Sequence, residues 1–271
     1  MHLTHLQRRK IAAATIAETA SILEKYAAQG ASSDSTFYAV PAPLPPCPNP
    51  ISTPRKTEVH SVDSFECLRK MIAAGADPKT TAVLNLASDL APAGHWVHTL
   101  SETQEEALCY SSTLYSTLKD SYYPWDNSAP SGIFSPGVVV YKAPIPSECV
   151  LLPESEVVLT SVITVAAPRY PKCTQDGSDF VSDEAREAMK EKVRAVFRIA
   201  GENKRRNLVL GAMGCGAYGC PKEAVANIMK EVLLEEEFQG WFERVWWAVF
   251  DAVHDRNDNI FREICGGVEI P

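Results

Sequence analysis

Two adjacent carboxylates, Glu105 and Glu106, are the first candidates for acid–base chemistry in this sequence. They end the long segment Ala87–Glu106, which lies between an apolar run typical of a buried strand and a predicted helix. Ligands of open α/β sheets bind beyond the carboxyl ends of strands, and so long a connection is typical of a functional loop. Ser101-x-x-Gln104 and Thr103-x-x-Glu106 also fit capping boxes, so a purely structural role at the helix N-terminus stays open.

The glycine-rich segment Gly211–Gly219 is the second candidate. It follows the apolar run at 207–210 and precedes a predicted helix opened by Pro221, so its backbone amides could hold an anion at a helix N-terminus. A tight strand–helix turn without a ligand is the alternative. Gly214-x-Gly216-x-x-Gly219 matches the dinucleotide fingerprint, but Asp251 follows too late for the expected ribose anchor. No Gly-Lys-Ser/Thr follows the segment, which excludes a Walker A loop.

Two shorter segments with Gly or Pro turns, Ser131–Val138 and Val165–Tyr170, could line the same rim. Phe134 or Tyr170 could stack on a nucleobase, and ordinary packing is the alternative for each ring. The 6 His residues have no metal-binding spacing, and the 8 Cys residues form no CxxC pair, which predicts reduced thiols and no zinc site. The sequence has no Gly-x-Ser-x-Gly, which disfavours acyl transfer by a serine nucleophile.

Alternating strands and helices must position these segments. The chain has 271 residues, enough for one or two domains with a sizeable core. The pattern predicts strands at 58–62, 82–87, 137–141, 156–165, 208–210 and 245–251, and helices at 64–74, 102–119, 183–200, 222–234 and 256–264. Continuous rather than alternating apolar strands indicate an α/β fold whose sheet is covered on both faces.

The first 56 residues have a different pattern. Residues 3–29 predict a helix with a loose apolar stripe that includes Leu6 and Ile16, and Gly30 is a plausible stop. Residues 31–56 are rich first in serine and then in proline, which predicts a surface loop of polyproline II character acting as a spacer.

The charge balance limits the partners of the chain. Lys+Arg is 26 and Asp+Glu is 34, a formal net charge of −8 that disfavours general binding to nucleic acid or to an anionic membrane. A small anion stays compatible, because backbone amides can hold it. The apolar runs are too short for a membrane span, and Glu18, Glu24 and Lys25 interrupt any signal-peptide pattern. We therefore expect the protein to be located in the cytoplasm or nucleus.

Seven short segments follow one another in an order that is more specific than any single motif: RRKIAAATIAETASIL, AVLNLAS, QEEALCYSSTLYSTL, IFSPGVVVYK, SVITVAAP, LVLGAMGCGAYGCPKEAVANIM and VWWAVFDA. In this order they resemble the microbial-type poly(ADP-ribose) glycohydrolases, a branch of the macrodomain superfamily. The resemblance implies a three-layer α/β/α macrodomain with a mixed central sheet over residues 57–271. A helical extension (1–30) and the Pro/Ser-rich loop (31–56) would precede it.

The resemblance also implies a reaction and a site. The reaction is hydrolysis of the O-glycosidic ribose–ribose bond of poly(ADP-ribose), or of ADP-ribosyl–protein bonds, with Glu106 as acid and base and Glu105 holding ribose hydroxyls. Neither cofactor nor metal is implied, and the partners would be ADP-ribose, its polymer or ADP-ribosylated proteins, bound by a monomer. The implied ligand-contacting residues are Asn85, Ala93, Gly94, His95, Gln104, Phe134, Pro136, Gly137, Val138, Pro168, Gly211, Gly214, Cys215, Gly216, Ala217 and Tyr218.

One departure from the family pattern affects the catalytic loop. The family has Gly-Gly-Gly before Gln-Glu-Glu, whereas this chain has Ala93-Gly94-His95. Only glycine adopts positive φ freely, so we expect Ala93 and His95 to reshape the wall around the distal ribose. A catalytically weakened ADP-ribose reader is therefore the alternative to a hydrolase.

Overall fold

A mixed sheet of seven strands forms the centre of the computed structural model, which describes residues 3–51, 53, 55–250 and 257–271. The strands are β1 (Thr36–Tyr38), β2 (Glu58–His60), β3 (Thr81–Leu86), β4 (Gly132–Val140), β5 (Val158–Val165), β6 (Asn207–Leu210) and β7 (Arg244–Ala248). They lie in the order β1-β4-β5-β3-β6-β7-β2. The run from β5 to β2 is parallel, and β4 and β1 are antiparallel to their neighbours. The parallel strands therefore place their carboxyl ends at one edge.

Helices cover both faces of this sheet. They are α1 (His5–Tyr26), α2 (Ser64–Ala73), α3 (Trp96–Thr99), α4 (Gln104–Ser111), α5 (Asp183–Glu202), α6 (Lys222–Leu233) and α7 (Asn257–Cys265). Apolar side chains of α5, α6 and α7 form one core with the sheet, and those of α2 and α4 form a second core on the opposite face. The predicted three-layer α/β/α fold is confirmed.

The buried face of α1 differs from the predicted apolar stripe. Leu6 is 62% exposed and Ile16 is 43% exposed, whereas Ala12 and Thr15 are buried. Polar contacts fix this orientation, because the Thr15 hydroxyl donates to the carbonyl of Tyr110 in α4 at 3.1 Å.

A buried lysine completes the attachment of α1. Lys142 follows β4, and its side chain is 5% exposed. Its Nζ lies 2.8 Å from Glu18 Oε2 and donates to Thr15 Oγ1 at 2.8 Å. Since an ammonium group is costly to bury without partners, these two contacts hold α1 in register against the domain.

The Pro/Ser-rich segment is partly a strand, contrary to the prediction of a loop throughout. Residues 36–38 form β1, which pairs with β4 at the sheet edge. The strand ends before the prolines that begin at Pro41, as expected because proline cannot donate to a ladder. Leu44 N donates to Glu237 Oε1 at 2.9 Å, and Trp241 Nε1 donates to Pro45 O at 3.3 Å, so the proline run lies against the domain.

The predicted helix at 102–119 is wrong in its second half. The helix ends at Ser111, and a short 3₁₀ turn at 114–117 follows. The reason is local competition for backbone groups. The Ser112 hydroxyl donates to Leu108 O at 2.7 Å and accepts from Leu114 N at 3.1 Å, which turns the chain out of the helix.

The segment Ser131–Val138, predicted as a turn, lies almost entirely in strand β4. The register of β4 against β5 shifts between Ser135 and Val138, which is where Pro136 stands. A proline has no N–H for the ladder, so the strand accommodates it as a bulge instead of ending there.

The remaining predicted elements are found with shifted ends. The predicted strand at 245–251 and helix at 256–264 include Asp251 and Arg256, which lie outside the described residues. The division into 1–30, 31–56 and 57–271 stays a prediction. No helix within the described ranges is long and apolar enough to cross a membrane.

We predict that Thr15→Val destabilises the protein by about 1–3 kcal/mol, because it leaves the buried ammonium of Lys142 short of one partner. Urea unfolding measures the free energy directly. Thr19→Val is the matched control, since Thr19 Oγ1 donates to the Thr15 carbonyl of its own helix. Equal losses in the two variants would show that helix propensity, not the Lys142 contact, sets the effect.

Candidate active site

A cavity of about 860 Å³ opens at the carboxyl edge of the parallel strands. The segments that follow β3, β5, β6 and β7 each contribute to its walls, together with the beginning of α2 and α4. Its volume lies within the range of small-molecule sites, roughly 300–1,000 Å³. The predicted segments 85–106, 165–170 and 211–219 meet here, and 131–138 does not.

Gln104 fixes the start of α4 to strand β3. Its Nε2 donates to Leu84 O at 2.7 Å, and its Oε1 accepts from Leu86 N at 2.8 Å. Nε2 also donates to Ser64 Oγ at 3.0 Å, which connects α2. Because the side chain bonds to β3 instead of the Ser101 backbone, the predicted capping box does not form here.

Glu105 is a buried carboxyl held by two N–H donors. Its Oε1 accepts from Asn85 Nδ2 at 3.1 Å, and its Oε2 accepts from Ser88 N at 2.8 Å. Burial raises the pKa of Glu105 to about 8, and the nearby charges of Glu106 and Asp89 act in the same direction. In the ligand-free protein Glu105 therefore holds its proton at neutral pH.

Glu106 lines the same cavity and is 5% exposed. Both of its oxygens accept hydroxyl groups: Ser101 Oγ donates to Oε1 at 2.8 Å, and Thr103 Oγ1 donates to Oε2. Thr103 is the N-cap of α4, yet its side chain caps no backbone N–H, so the second predicted capping box does not form. The two glutamates occupy the first turn of α4, as convergence on one ligand requires.

Three consecutive residues of the loop after β3 have left-handed backbones: Ala93 (φ 48°), Gly94 (φ 56°) and His95 (φ 63°). Ala93 and His95 thus adopt a backbone conformation that glycine favours, and the effect of their side chains on the wall stays a prediction. A Cβ on Gly94 would lie 3.1 Å from Glu106 Oε1 and 3.6 Å from Glu105 Oε2. Ala93 is buried behind the wall, whereas His95 is exposed and lines the cavity.

The glycine-rich segment forms the wall opposite α4. Gly214, Gly216, Ala217 and Tyr218 line the cavity. Gly214 has φ 73°, and a Cβ there would lie 2.6 Å from Cys220 Sγ, so no other residue fits without rearrangement. The segment leads directly into α6, whose N-terminus favours an anion.

Several predicted ligand-contacting residues lie outside the cavity walls. Asn85 donates to Glu105 without lining the cavity, and three others do not line it either: Pro168, Gly211 and Cys215. A second group sits on strand β4: Phe134, Pro136, Gly137 and Val138. Because β4 is antiparallel to β5, successive residues of β4 run away from the carboxyl edge, and Phe134 pairs with Ile163 well inside the sheet.

An ion pair between Asp89 and Arg169 was missed by the sequence analysis. Arg169 lines the cavity, and its Nε and Nη2 donate to Asp89 Oδ1 at 2.8 and 2.6 Å. The guanidinium also lies 5.3 Å from the ring centre of Tyr218. Three loops are thereby joined around the cavity. Tyr170, a candidate for stacking on a base, is 74% exposed and does not line the cavity.

The described ranges contain no group of three His, Cys, Asp or Glu side chains arranged to hold a metal ion.

The raised pKa of Glu105 predicts a pH-dependent stability. The folded protein keeps this proton up to about pH 8, whereas the unfolded chain loses it near pH 4.5. Stability is therefore lost as the pH rises between these values, at up to about 1.4 kcal/mol per pH unit. Glu105→Gln should flatten this slope in urea unfolding at pH 5, 6.5 and 8.

The matched control for this slope is Glu184→Gln, which removes an exposed carboxylate from the first turn of α5. Its slope over the same range should match that of the wild type. Parallel slopes for Glu105→Gln and wild type would contradict the assignment of this proton to Glu105.

Comparisons with known proteins agree with this geometry. Residues 9–143 match the family model "Microbial-type PARG, catalytic domain", where PARG is poly(ADP-ribose) glycohydrolase, and residues 143–229 match the model "Macro domain". No curated protein is significantly similar in sequence.

Solved structures of two bacterial poly(ADP-ribose) glycohydrolases are similar to the whole arrangement. The enzyme from Thermomonospora curvata is 27% identical with a TM-score of 0.76, over 94% of this chain and 98% of that chain. The enzyme from Deinococcus radiodurans in complex with ADP-ribose is 29% identical with a TM-score of 0.63, over 77% and 83% of the two chains. The chain belongs to the microbial-type poly(ADP-ribose) glycohydrolase family of the macrodomain superfamily.

Proposed function

We propose that this protein is a glycosidase that cleaves the ribose–ribose bond of poly(ADP-ribose), with Glu106 as its acid and base. The observation that carries the proposal is the placement of two buried carboxyl groups and a glycine-rich anion loop on facing walls of one cavity. The relatives support it. A structure of the T. curvata enzyme bound to the inhibitor ADP-HPD is 26% identical to this chain, with a TM-score of 0.73.

The diphosphate of ADP-ribose fits the glycine-rich wall. Backbone amides around Gly214, Gly216 and Ala217 precede the N-terminus of α6, where unsatisfied N–H groups favour negative charge. Arg169, whose guanidinium is paired with Asp89, lies beside Tyr218 of the same wall. The acidic chain thus holds an anionic ligand by local groups, without a net positive charge.

Glu105 is suited to bind the distal ribose. As a neutral acid it can donate a hydrogen bond to a ribose hydroxyl and does not add a second charge beside Glu106. The N–H groups of Asn85 and Ser88 fix its orientation. Tyr218 lies on the facing wall, where its ring can pack against the same sugar.

Glu106 can supply both proton transfers of the hydrolysis. Protonated Glu106 gives its proton to the leaving ribose oxygen as the glycosidic bond breaks, which leaves an oxocarbenium-like sugar and a carboxylate. A water then forms the new C–O bond, and Glu106 takes its proton, which restores the acid. Negative charge on the bound diphosphate stabilises the positive charge that develops on the sugar.

A binding-only protein is not favoured. That alternative rested on the replaced glycines, and the loop backbone is left-handed at Ala93 and His95 beside an intact carboxyl pair.

ADP-ribosyl–protein bonds are a second substrate class for the same site, because they attach to the same anomeric carbon.

Glu106→Gln should lower turnover by roughly 10²–10⁴, because the amide keeps the size of the side chain but cannot give up a proton. ADP-ribose affinity should change little. A time course of ADP-ribose release from automodified substrate, with calorimetry on the same protein, measures both. Glu184→Gln, the same change at an exposed position, should keep full turnover, and undiminished turnover in Glu106→Gln would remove the catalytic assignment.

Gly216→Ala should weaken ADP-ribose binding without destabilising the protein. A Cβ at Gly216 meets no atom within 4 Å, so the methyl would occupy the open space proposed for the diphosphate. We expect roughly a tenfold loss of affinity by calorimetry, because overpacking costs about 1–3 kcal/mol.

Gly214→Ala provides the contrast. Its methyl would clash with Cys220 and Ala167, so thermal stability itself should fall. Wild-type affinity in Gly216→Ala would place the diphosphate elsewhere.

A further inference from the structure

The hydrogen-bond partners of the two catalytic-site carboxyls differ in kind. Glu105 is held by the amide N–H groups of Asn85 and Ser88, which act only as donors. Glu106 is held by the hydroxyls of Ser101 and Thr103, one on each oxygen. A hydroxyl can donate to a carboxylate and can also accept from a carboxylic acid.

This difference matters because the proposed reaction changes the protonation state of Glu106 twice. A carboxyl fixed by N–H donors accepts more weakly on whichever oxygen becomes an O–H group, so its contacts differ between the two states. A carboxyl fixed by hydroxyls keeps its contacts in both states, since a hydroxyl reverses its direction by rotating one bond. The partners of Glu106 are therefore suited to a group that cycles between the two states.

The conformation of Thr103 is a second, independent observation. Thr103 stands at the N-cap of α4, where a threonine hydroxyl usually accepts a backbone N–H of the first turn. Here the side chain makes no such bond and donates to Glu106 instead. Ser182, at the N-cap of α5, does make the usual bond, to Ala185 N at 3.3 Å. The Thr103 hydroxyl thus bonds to the Glu106 carboxyl instead of capping α4.

We propose that Ser101 and Thr103 are positioning residues that hold the Glu106 carboxyl in one place through both of its protonation states. The inference rests on the proposed function of Glu106. The Thr99 hydroxyl lies 3.1 Å from Ser101 Oγ and 3.3 Å from His95 O, and it can donate to either oxygen. Ser101 is therefore close to the left-handed turn at residues 93–95.

Paired substitutions separate the hydroxyl from the shape of the side chain. Thr103→Val keeps the shape and removes the hydroxyl, and Thr103→Ser keeps the hydroxyl. Loss of positioning should lower kcat on poly(ADP-ribose) by roughly 10- to 100-fold in Thr103→Val, while KM and the calorimetric Kd for ADP-ribose stay within about threefold. Thr103→Ser should restore kcat to within about threefold of wild type.

Substitutions at Ser101 test the same inference if a Thr103 variant fails to fold. Ser101→Ala should lower kcat as Thr103→Val does, and Ser101→Thr should rescue it. Ser182→Ala is the matched control, because it removes an N-cap hydroxyl that makes an ordinary cap. It should lower the Tm and leave kcat unchanged, the reverse of Thr103→Val. Unchanged kcat in both hydroxyl deletions, or equal losses in Thr103→Val and Thr103→Ser, would overturn the inference.

A measurement that does not depend on turnover distinguishes failure of this inference from failure of the proposed function. The carboxyl ¹³C NMR signal of Glu106, assigned by its loss in Glu106→Gln, should move in Thr103→Val and return in Thr103→Ser. A wild-type protein without turnover would refute the proposed function, and the signal would still report on the hydroxyls. A signal that does not move would refute the inference, whatever the turnover.

Discussion

The attachment of Gln104 to strand β3 is the contact on which the site depends. One amide side chain satisfies Leu84 O and Leu86 N near the end of β3. It thereby fixes the first residue of α4 at the carboxyl edge of the sheet. The next two residues are the two glutamates, so their entry into the cavity follows from this bond and the helical rotation of about 100° per residue.

Two carboxyls in one buried site cannot both be charged without a large cost, and the protein treats them differently. Glu105 is buried more completely, and its raised pKa keeps it neutral. Glu106 faces the same cavity with partners that tolerate either state. The chemistry of the pair therefore depends less on the two identical side chains than on the donors around them.

The sequence was sufficient for features that depend on local pattern. The alternation of apolar strands and helices, the long loop after β3 and the glycine-rich turn before α6 all appear in the predicted places. It was insufficient for features that depend on contacts between residues far apart in the chain. The buried face of α1 is set by Lys142, far along the chain, and the Asp89–Arg169 pair joins two loops that no local signal connects. The first part of strand β4 could not be predicted, because Pro136 is typical of a turn and only the pairing with β5 accommodates it as a bulge.

The substituted glycines of the catalytic loop show the same dependence on distant packing. Trp96, directly after the turn, is fully buried, with its ring centre 5.1 Å from that of Tyr110 and 5.3 Å from that of Tyr115. Such an anchor can hold Ala93 and His95 in a backbone region that costs each of them about 1–2 kcal/mol. A left-handed turn of this kind is therefore open to residues other than glycine where a buried neighbour offsets its cost. The packing behind such a turn then decides its shape more than the residue types within it do.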